Sequence, residues 1–432
     1  MTLKDDRPAM SRRSVLLGAL ALGGCSSSDK LLGNLLGEQD TVLPGKRESV
    51  LAPTGSALKV SQEPVAIPAA ISNANWAQPG GTASSANHNL ALGRNLRRIF
   101  SVSAGAGSDS SGRLSASPIV VGGRVCVLDA KARVRAFSAA SGARAWAVSL
   151  VPKGADEDDG FGGGVCSDGR NVYVTTGFGE VVALSLANGA QIWRKKLALP
   201  LRLSPVVAAG RVYVRDNGNT AYCLSAADGS QLWSQQGESA RTSLISSCSP
   251  SVGAGIVAMP FSSGDLSAFS AQGYSLWTQN LASQDVIKDM AARPVIDRGI
   301  VYACAAEGQL VALKAGSGAE IWSLDLGGRQ TPCVAGDYLF HLTGTNRLSA
   351  IALRDGGIRW TVNLPGGSWT GAVMGGGRLL AASSKGVLAE ISPQTGQVMK
   401  RHDVGDPVYI APVIAAGVLY VLSDDGALMA YR

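Results

Sequence analysis

Ala136-Phe137-Ser138, with Gly142 and then Trp146 downstream, is a short pattern that recurs along this 432-residue chain. Ala183-Leu184-Ser185 leads to Gly189 and Trp193, and Leu224-Ser225 leads to Gly229 and Trp233. Ala268-Phe269-Ser270 leads to Gly273 and Trp277, and Ala312-Leu313-Lys314 to Gly318 and Trp322. Ala352-Leu353-Arg354 leads to Gly356 and Trp360. In each copy the Trp stands four residues after the Gly. A further copy, Glu390-Ile391-Ser392 to Gly396, ends in Lys400 instead. Self-similarity at a fixed period of roughly 40 residues marks a repeat architecture, in which one supersecondary unit is copied and stacked.

A second pattern lies upstream of each copy: a small residue, Pro, two apolar residues and then an alternating run. It reads Ser117-Pro118-Ile119-Val120, Ser204-Pro205-Val206-Val207, Ser249-Pro250, Arg293-Pro294-Val295-Ile296, Thr331-Pro332 and Ala411-Pro412-Val413-Ile414. Gly164-Val165 and Gly371-Ala372 fill the slot without Pro. Pro suits the opening residue of a strand. Arg211-Val212-Tyr213-Val214 and Ile300-Val301-Tyr302-Ala303 alternate as half-buried second strands do. A turn leads to a third strand, as in Gly308-Gln309-Leu310-Val311-Ala312-Leu313, and a Gly turn to a fourth that carries the Trp. Four strands per repeat make the blade of a propeller. The expected fold is all-β, an eight-bladed β-propeller of four-stranded antiparallel blades over residues 76–432.

The eighth unit, 411–432, supplies only three strands and would leave a raw sheet edge. Ile99-Phe100-Ser101-Val102 precedes the first repeat where a fourth strand would stand, with Phe100 in the Trp position. This N-terminal strand is expected to pair with the last strand and close the ring. The repeated Trp146, Trp193, Trp233, Trp277, Trp322 and Trp360 are read as packing between blades rather than as ligand-stacking residues.

The N-terminus reads as an address. Arg12-Arg13 precede the apolar run Val15-Leu16-Leu17-Gly18-Ala19-Leu20-Ala21-Leu22, and Gly23-Gly24-Cys25 follow. This is a secretory signal, residues 1–24, too short to span a bilayer. Leu22-Gly23-Gly24-Cys25 resembles the lipobox of bacterial lipoproteins, which implies cleavage before Cys25 and palmitate-type acylation there. Several acyl chains anchor a protein to a membrane far more firmly than one. Ser26 in place of Asp implies sorting to the outer membrane, on its periplasmic side. Ser11-Arg12-Arg13 resembles a twin-arginine signal, so both export routes stay open. Residues 25–75 mix Ser, Gly, Pro and Ala with little periodicity and read as the lipidated Cys and a flexible tether.

The chain offers little chemistry. Its formal charge is +7, and residues 1–24 hold four basic and two acidic residues, so the remainder keeps a scattered surplus of five. Nucleic acid is therefore a poor partner. His88, His341 and His402 fall in the N-terminal segment, a strand and a loop, none at metal-ligand spacing. Cys126, Cys166, Cys223, Cys248, Cys304 and Cys333 mostly replace apolar strand residues and are read as buried thiols, although export also permits disulfides. Asp156-Glu157-Asp158-Asp159-Gly160 offers oxygen ligands to calcium, but is read as a solvated loop. Gly162-Gly163-Gly164 is read as a turn. No catalytic residue, cofactor or metal site is assigned, and the chain is read as a non-enzyme.

The Trp-containing repeat resembles that of quinoprotein dehydrogenases, whose pyrroloquinoline quinone and calcium would make this a periplasmic enzyme. Those enzymes often carry a vicinal Cys-Cys, which this chain lacks. Lipobox, tether, repeats and a terminal strand ending at Arg432 together resemble the BamB family of outer-membrane assembly lipoproteins. So do Leu43-Pro44-Gly45-Lys46-Arg47-Glu48-Ser49-Val50-Leu51 and Trp76-Ala77-Gln78-Pro79-Gly80-Gly81. That resemblance implies a scaffold of the BAM complex that docks on the periplasmic domains of BamA through two inter-blade loops, with unfolded outer-membrane proteins as further partners. In one loop the family shows Leu-x-Leu-Arg before a repeat Pro. Counting back from Pro250, the slots hold Thr242, Leu244 and Ile245, so Leu244 matches and Arg241 supplies a shifted charge. In the other the family shows Asp-x-x-x-Asp-x-Asp-x-x-Pro. Asp285 and Asp289 match before Pro294, and Ala291 departs. Val286, Ile287 and Met290 stand among charges in that connector, as a docking site requires. The implied partner-binding residues are Arg241, Leu244, Asp285, Ile287 and Asp289.

Overall fold

The computed structural model describes residues 63–238, 248–282 and 289–432. Eight four-stranded antiparallel sheets stand around an axis. Their first strands touch those of neighbouring blades, and the chain runs outward from first to fourth strand. Blades 1 to 7 open at Ile119, Gly163, Val206, Ser251, Val295, Cys333 and Val373. Wherever the slot holds Pro, the first strand begins at the next residue, because Pro fixes φ and has no N–H to give to the ladder. Gly163 and Gly164 belong to the first strand of blade 2 rather than to a turn, opposite Thr176 and Thr175, and a Cβ on Gly163 would lie 2.0 Å from the Thr175 carbonyl oxygen.

Blade 8 is completed by Arg98–Ser103, which pairs antiparallel with the last strand, Ala427–Tyr431. The closure copies the repeat in detail. Each Trp lies opposite a third-strand residue just before a register shift, as Trp146 does with Ala136. Phe100 lies opposite Ala430, with the same kind of shift beside it. Where other blades have a Gly turn, Arg97 and Arg432 exchange backbone hydrogen bonds of 2.8 and 2.9 Å.

The six repeat Trp residues link each blade to the next. Every ring lies on the turn Gly of the following blade: a Cβ there would approach it to within 2.6–3.0 Å, at Gly189, Gly229, Gly273, Gly318, Gly356 and Gly396. Every indole N–H donates across the same gap, for example Trp146 to Leu186 O at 3.0 Å and Trp277 to Ala315 O at 2.7 Å. Phe100 covers Gly142 in the same way. This explains Lys400. It stands where a Trp would face the Gly turn of blade 8, and in that place Arg97 and Arg432 pair instead.

The tether was expected to run to residue 75, but the chain packs against the propeller from residue 63. Residues 63–90 form a strap with a polar bond to every blade. Tyr338 Oη of blade 6 donates to Pro64 O, and Asn73 Nδ2 to Ile414 O of blade 8. Trp76 exchanges two backbone bonds with Val120 of blade 1, and Ser167 N of blade 2 donates to Ala77 O. Gln78 reaches blade 3, where its Nε2 donates to Val207 O and its Oε1 accepts from Val207 N, both 3.1 Å. Val252 and Ile296, of blades 4 and 5, donate to Ala83 O and Ser84 O, and Leu90 N donates to Met374 O of blade 7. Because these contacts are hydrogen bonds to backbone groups, all but that of Tyr338 at first strands, they need no apolar periodicity and leave no such signal in the sequence. The strap sits on the face of the first-to-second turns, opposite the connectors from fourth to first strands.

Candidate docking surface

Two of those connectors flank blade 4, spanning 237–250 and 281–294. Their middles, 239–247 and 283–288, lie outside the described residues, and with them Arg241, Leu244, Asp285, Val286 and Ile287. Cys25 lies outside them as well. The feet of both connectors converge on one buried polar hub. At the first foot, Asn219 Nδ2 donates to Glu238 O at 2.7 Å, and the Cys248 thiol lies 3.3 Å from Ala292 O in the second connector. At the second foot, Asp289 is 3% exposed and Met290 fully buried, with Ala306 N donating to Asp289 O and Met290 N to Phe261 O. Asn219 Oδ1 also accepts from Ser262 N at 3.0 Å and from Arg215, which donates in turn to Ser262 Oγ at 2.9 Å.

The hub is strongly charged for an interior. Burial pushes the Arg215 guanidinium below its ordinary range, and the Asp289 carboxylate opposes that shift. Burial also lowers Arg293, to about 10, and raises the Cys248 thiol to about 12. Buried charges of this kind persist only when paired and hydrogen-bonded, so they fix geometry more than they add stability. The arrangement therefore holds both connectors on one rigid base, with blade 4 between them.

A family described as Outer membrane protein assembly factor BamB matches residues 130–362 and 344–432. The chain belongs to the BamB family. The BamB of Yersinia pestis is 27% identical over 349 residues, covering 77% of this chain and 88% of its own length. That of Escherichia coli K12 is 28% identical over 323 residues, covering 72% and 82%. The crystal structure of BamB from Moraxella catarrhalis superposes with a TM-score of 0.65 at 18% identity, over 78% of this chain and 98% of that one. A quinohemoprotein alcohol dehydrogenase from Comamonas testosteroni reaches 0.67 at 13% identity, over 83% and 80%. At such identities both structures report the fold alone, and a propeller fold does not fix an activity.

Within this BamB-family chain, Asp289 is a buried foot residue rather than an exposed contact, and Met290 lies in the core beside it. Arg215 and Arg293 escaped the sequence reading, although each left a trace. Arg293 fills a pre-Pro slot held elsewhere by Ser, Thr or Ala, and Arg215 ends a second strand where blades 1 and 8 have Leu128 and Leu422. The other candidate groups are occupied structurally. His402 lies in the fourth strand of blade 7, not in a loop, because that strand keeps its full six residues without a Trp. Its Nε2 is 2.6 Å from Glu390, which also pairs with Arg378 at 2.6 Å. The acidic run forms a 3-10 turn over Glu157–Gly160, where Arg133 and Lys131 pair with Glu157 and Asp158. Among the described residues the six cysteines are not joined by disulfides, and five of them are buried. Among the described residues, no three His, Cys, Asp or Glu side chains gather closely enough to hold a metal ion.

Proposed function

We propose that this chain is a non-enzymatic scaffold of the BAM complex, docking on the periplasmic domains of BamA through the two connectors that flank blade 4. The observation that carries this reading is the shared hub: Asn219, Arg215, Cys248 and Asp289 tie both connectors to one base. Arg241, Leu244, Asp285 and Ile287 are the proposed contacts, and Asp289 fixes the second connector from below. Residues 1–24 are the proposed signal. Cys25 is the lipid anchor on the periplasmic side of the outer membrane, and the tether runs from it to the strap.

The test is mild-detergent purification of the tagged full-length lipoprotein, with mass spectrometry of co-eluting proteins. Recovery of BamA from the wild type, lost in Asp285→Lys and Ile287→Asp, supports the reading. Recovery of the wild type without assembly subunits refutes it.

A further inference from the structure

Between the strap and the openings of the first strands of blades 5 to 8 lies a small cavity on the propeller axis. Its volume is about 50 Å³, room for about four water-sized groups. The polar groups around it are donors. Trp76 of the strap borders it; its indole N–H can only donate, is buried and has no hydrogen-bond partner among the described residues. Gln330 Oε1 accepts from Gly371 N at 2.8 Å, which leaves the NH2 of Gln330 to donate. Thr331 Oγ1 accepts from Arg293 N at 3.3 Å and keeps its own O–H to give. Arg293 is the one cation among the described lining residues, and no Asp or Glu stands among them. The pre-Pro slot that Arg293 fills holds Ser, Thr or Ala in the other Pro-bearing blades, so blade 5 alone brings a charge to this position. Burial lowers that guanidinium to about 10, a cost that an anion beside it offsets and a water molecule does not.

We propose that this cavity binds a small carboxylate-type monoanion, of acetate or bicarbonate size, held by Arg293 together with donors from the strap and blade 6. The guanidinium is a planar fork that matches a planar oxyanion. A ligand of about four heavy atoms fills the space, and a fused-ring ligand exceeds it. Entry is from the connector face, where Gln330 also borders a wider cleft of about 570 Å³ with Asp325, Arg329 and Thr345. A bound anion would tie the strap at Trp76 to blades 5 and 6 across the axis. The site is independent of the docking connectors and of any partner they hold.

The test is nuclear magnetic resonance of the full-length lipoprotein in detergent, labelled with indole-15N tryptophan. The probes are sodium acetate and sodium bicarbonate, with sodium chloride at equal ionic strength as control. The Trp76 indole signal, assigned by its loss in Trp76→Phe, should shift saturably with acetate or bicarbonate and not with chloride; which of the two saturates at lower concentration identifies the source of the ligand. Gln330→Glu keeps an acceptor for Gly371 N but places a carboxylate on the wall, and should weaken binding about tenfold. Arg293→Met should weaken it at least as much. A shift that does not saturate, an equal shift with chloride, or unchanged affinity in Gln330→Glu would each overturn the proposal. If Arg293→Met does not fold, the wild-type titration and Gln330→Glu decide it.

Discussion

Gly229→Ala should damage the propeller far more than Gly210→Ala, although both residues lie in blade 3 with the same φ of +73°. An Ala in that left-handed conformation costs about 1 kcal/mol wherever it stands. At Gly210 nothing lies within 4 Å of the new Cβ, so the cost ends there. At Gly229 the Cβ would lie 2.6 Å from Trp193 Cε3 and 3.0 Å from its Cδ2. Ordinary carbon contacts are about 3.5–4.0 Å, so the indole must retreat by about 1 Å. It is pinned against doing so: its Nε1 donates to Ala226 O at 3.0 Å, and its ring centroid is 5.9 Å from that of Tyr173. Displacing a packed ring costs about 1–3 kcal/mol and its hydrogen bond about 1 more. Gly229→Ala should therefore lose about 3–5 kcal/mol against about 1 for Gly210→Ala. Parallel urea titrations followed by far-UV circular dichroism give the comparison. In a Trp193→Ala background the two glycine substitutions should cost the same, because the obstacle is gone. Equal losses in the wild-type background, or a Gly229 penalty that survives removal of the indole, would refute blade linkage through the Trp–Gly contact.

Gln78→Ala should destabilise by about 2–3 kcal/mol, since it strips the buried Val207 N–H and the Ser167 and Val207 carbonyls of their side-chain partner; faster hydrogen exchange at the Val207 amide would show it directly. Phe100→Ala should cost about 3 kcal/mol by opening the contact on Gly142. Lys400→Trp should change the urea midpoint little, and a large gain there would contradict the account of blade 8. His341 is fully buried, with Nε2 2.8 Å from Leu326 O, and burial lowers it from 6.5 to about 4. Its folded pKa lies below its unfolded one, so its contribution is complete above pH 6.5 and is lost as pH falls toward 4, by up to about 3 kcal/mol. His341→Gln should flatten the fall in urea midpoint between pH 7 and 4.5, whereas parallel profiles for wild type and variant would exclude this origin.

The sequence by itself determined the blade. Period, turn Gly and Trp state which residues form a unit, and the missing fourth strand of the last unit points to Ile99-Phe100 as its closure. These features are local, or repeat at one spacing, so one chain displays them. The tertiary structure decided what depends on residues distant in sequence. Trp193 and Gly229 read as two marks of two repeats, and only stacking turns them into one contact. Lys400 reads as a degenerate copy until the Arg97–Arg432 pair is seen where the following Gly turn would be. The strap reads as tether because isolated hydrogen bonds to each of the eight blades leave no hydrophobic period. Asp289 reads as a surface acid, since a charge in a connector is ordinarily solvated. It is buried because Arg215, more than seventy residues earlier, is folded beneath the same loop. A sequence displays the residues that must repeat for blades to stack; which charges meet inside the ring is fixed only when the ring closes.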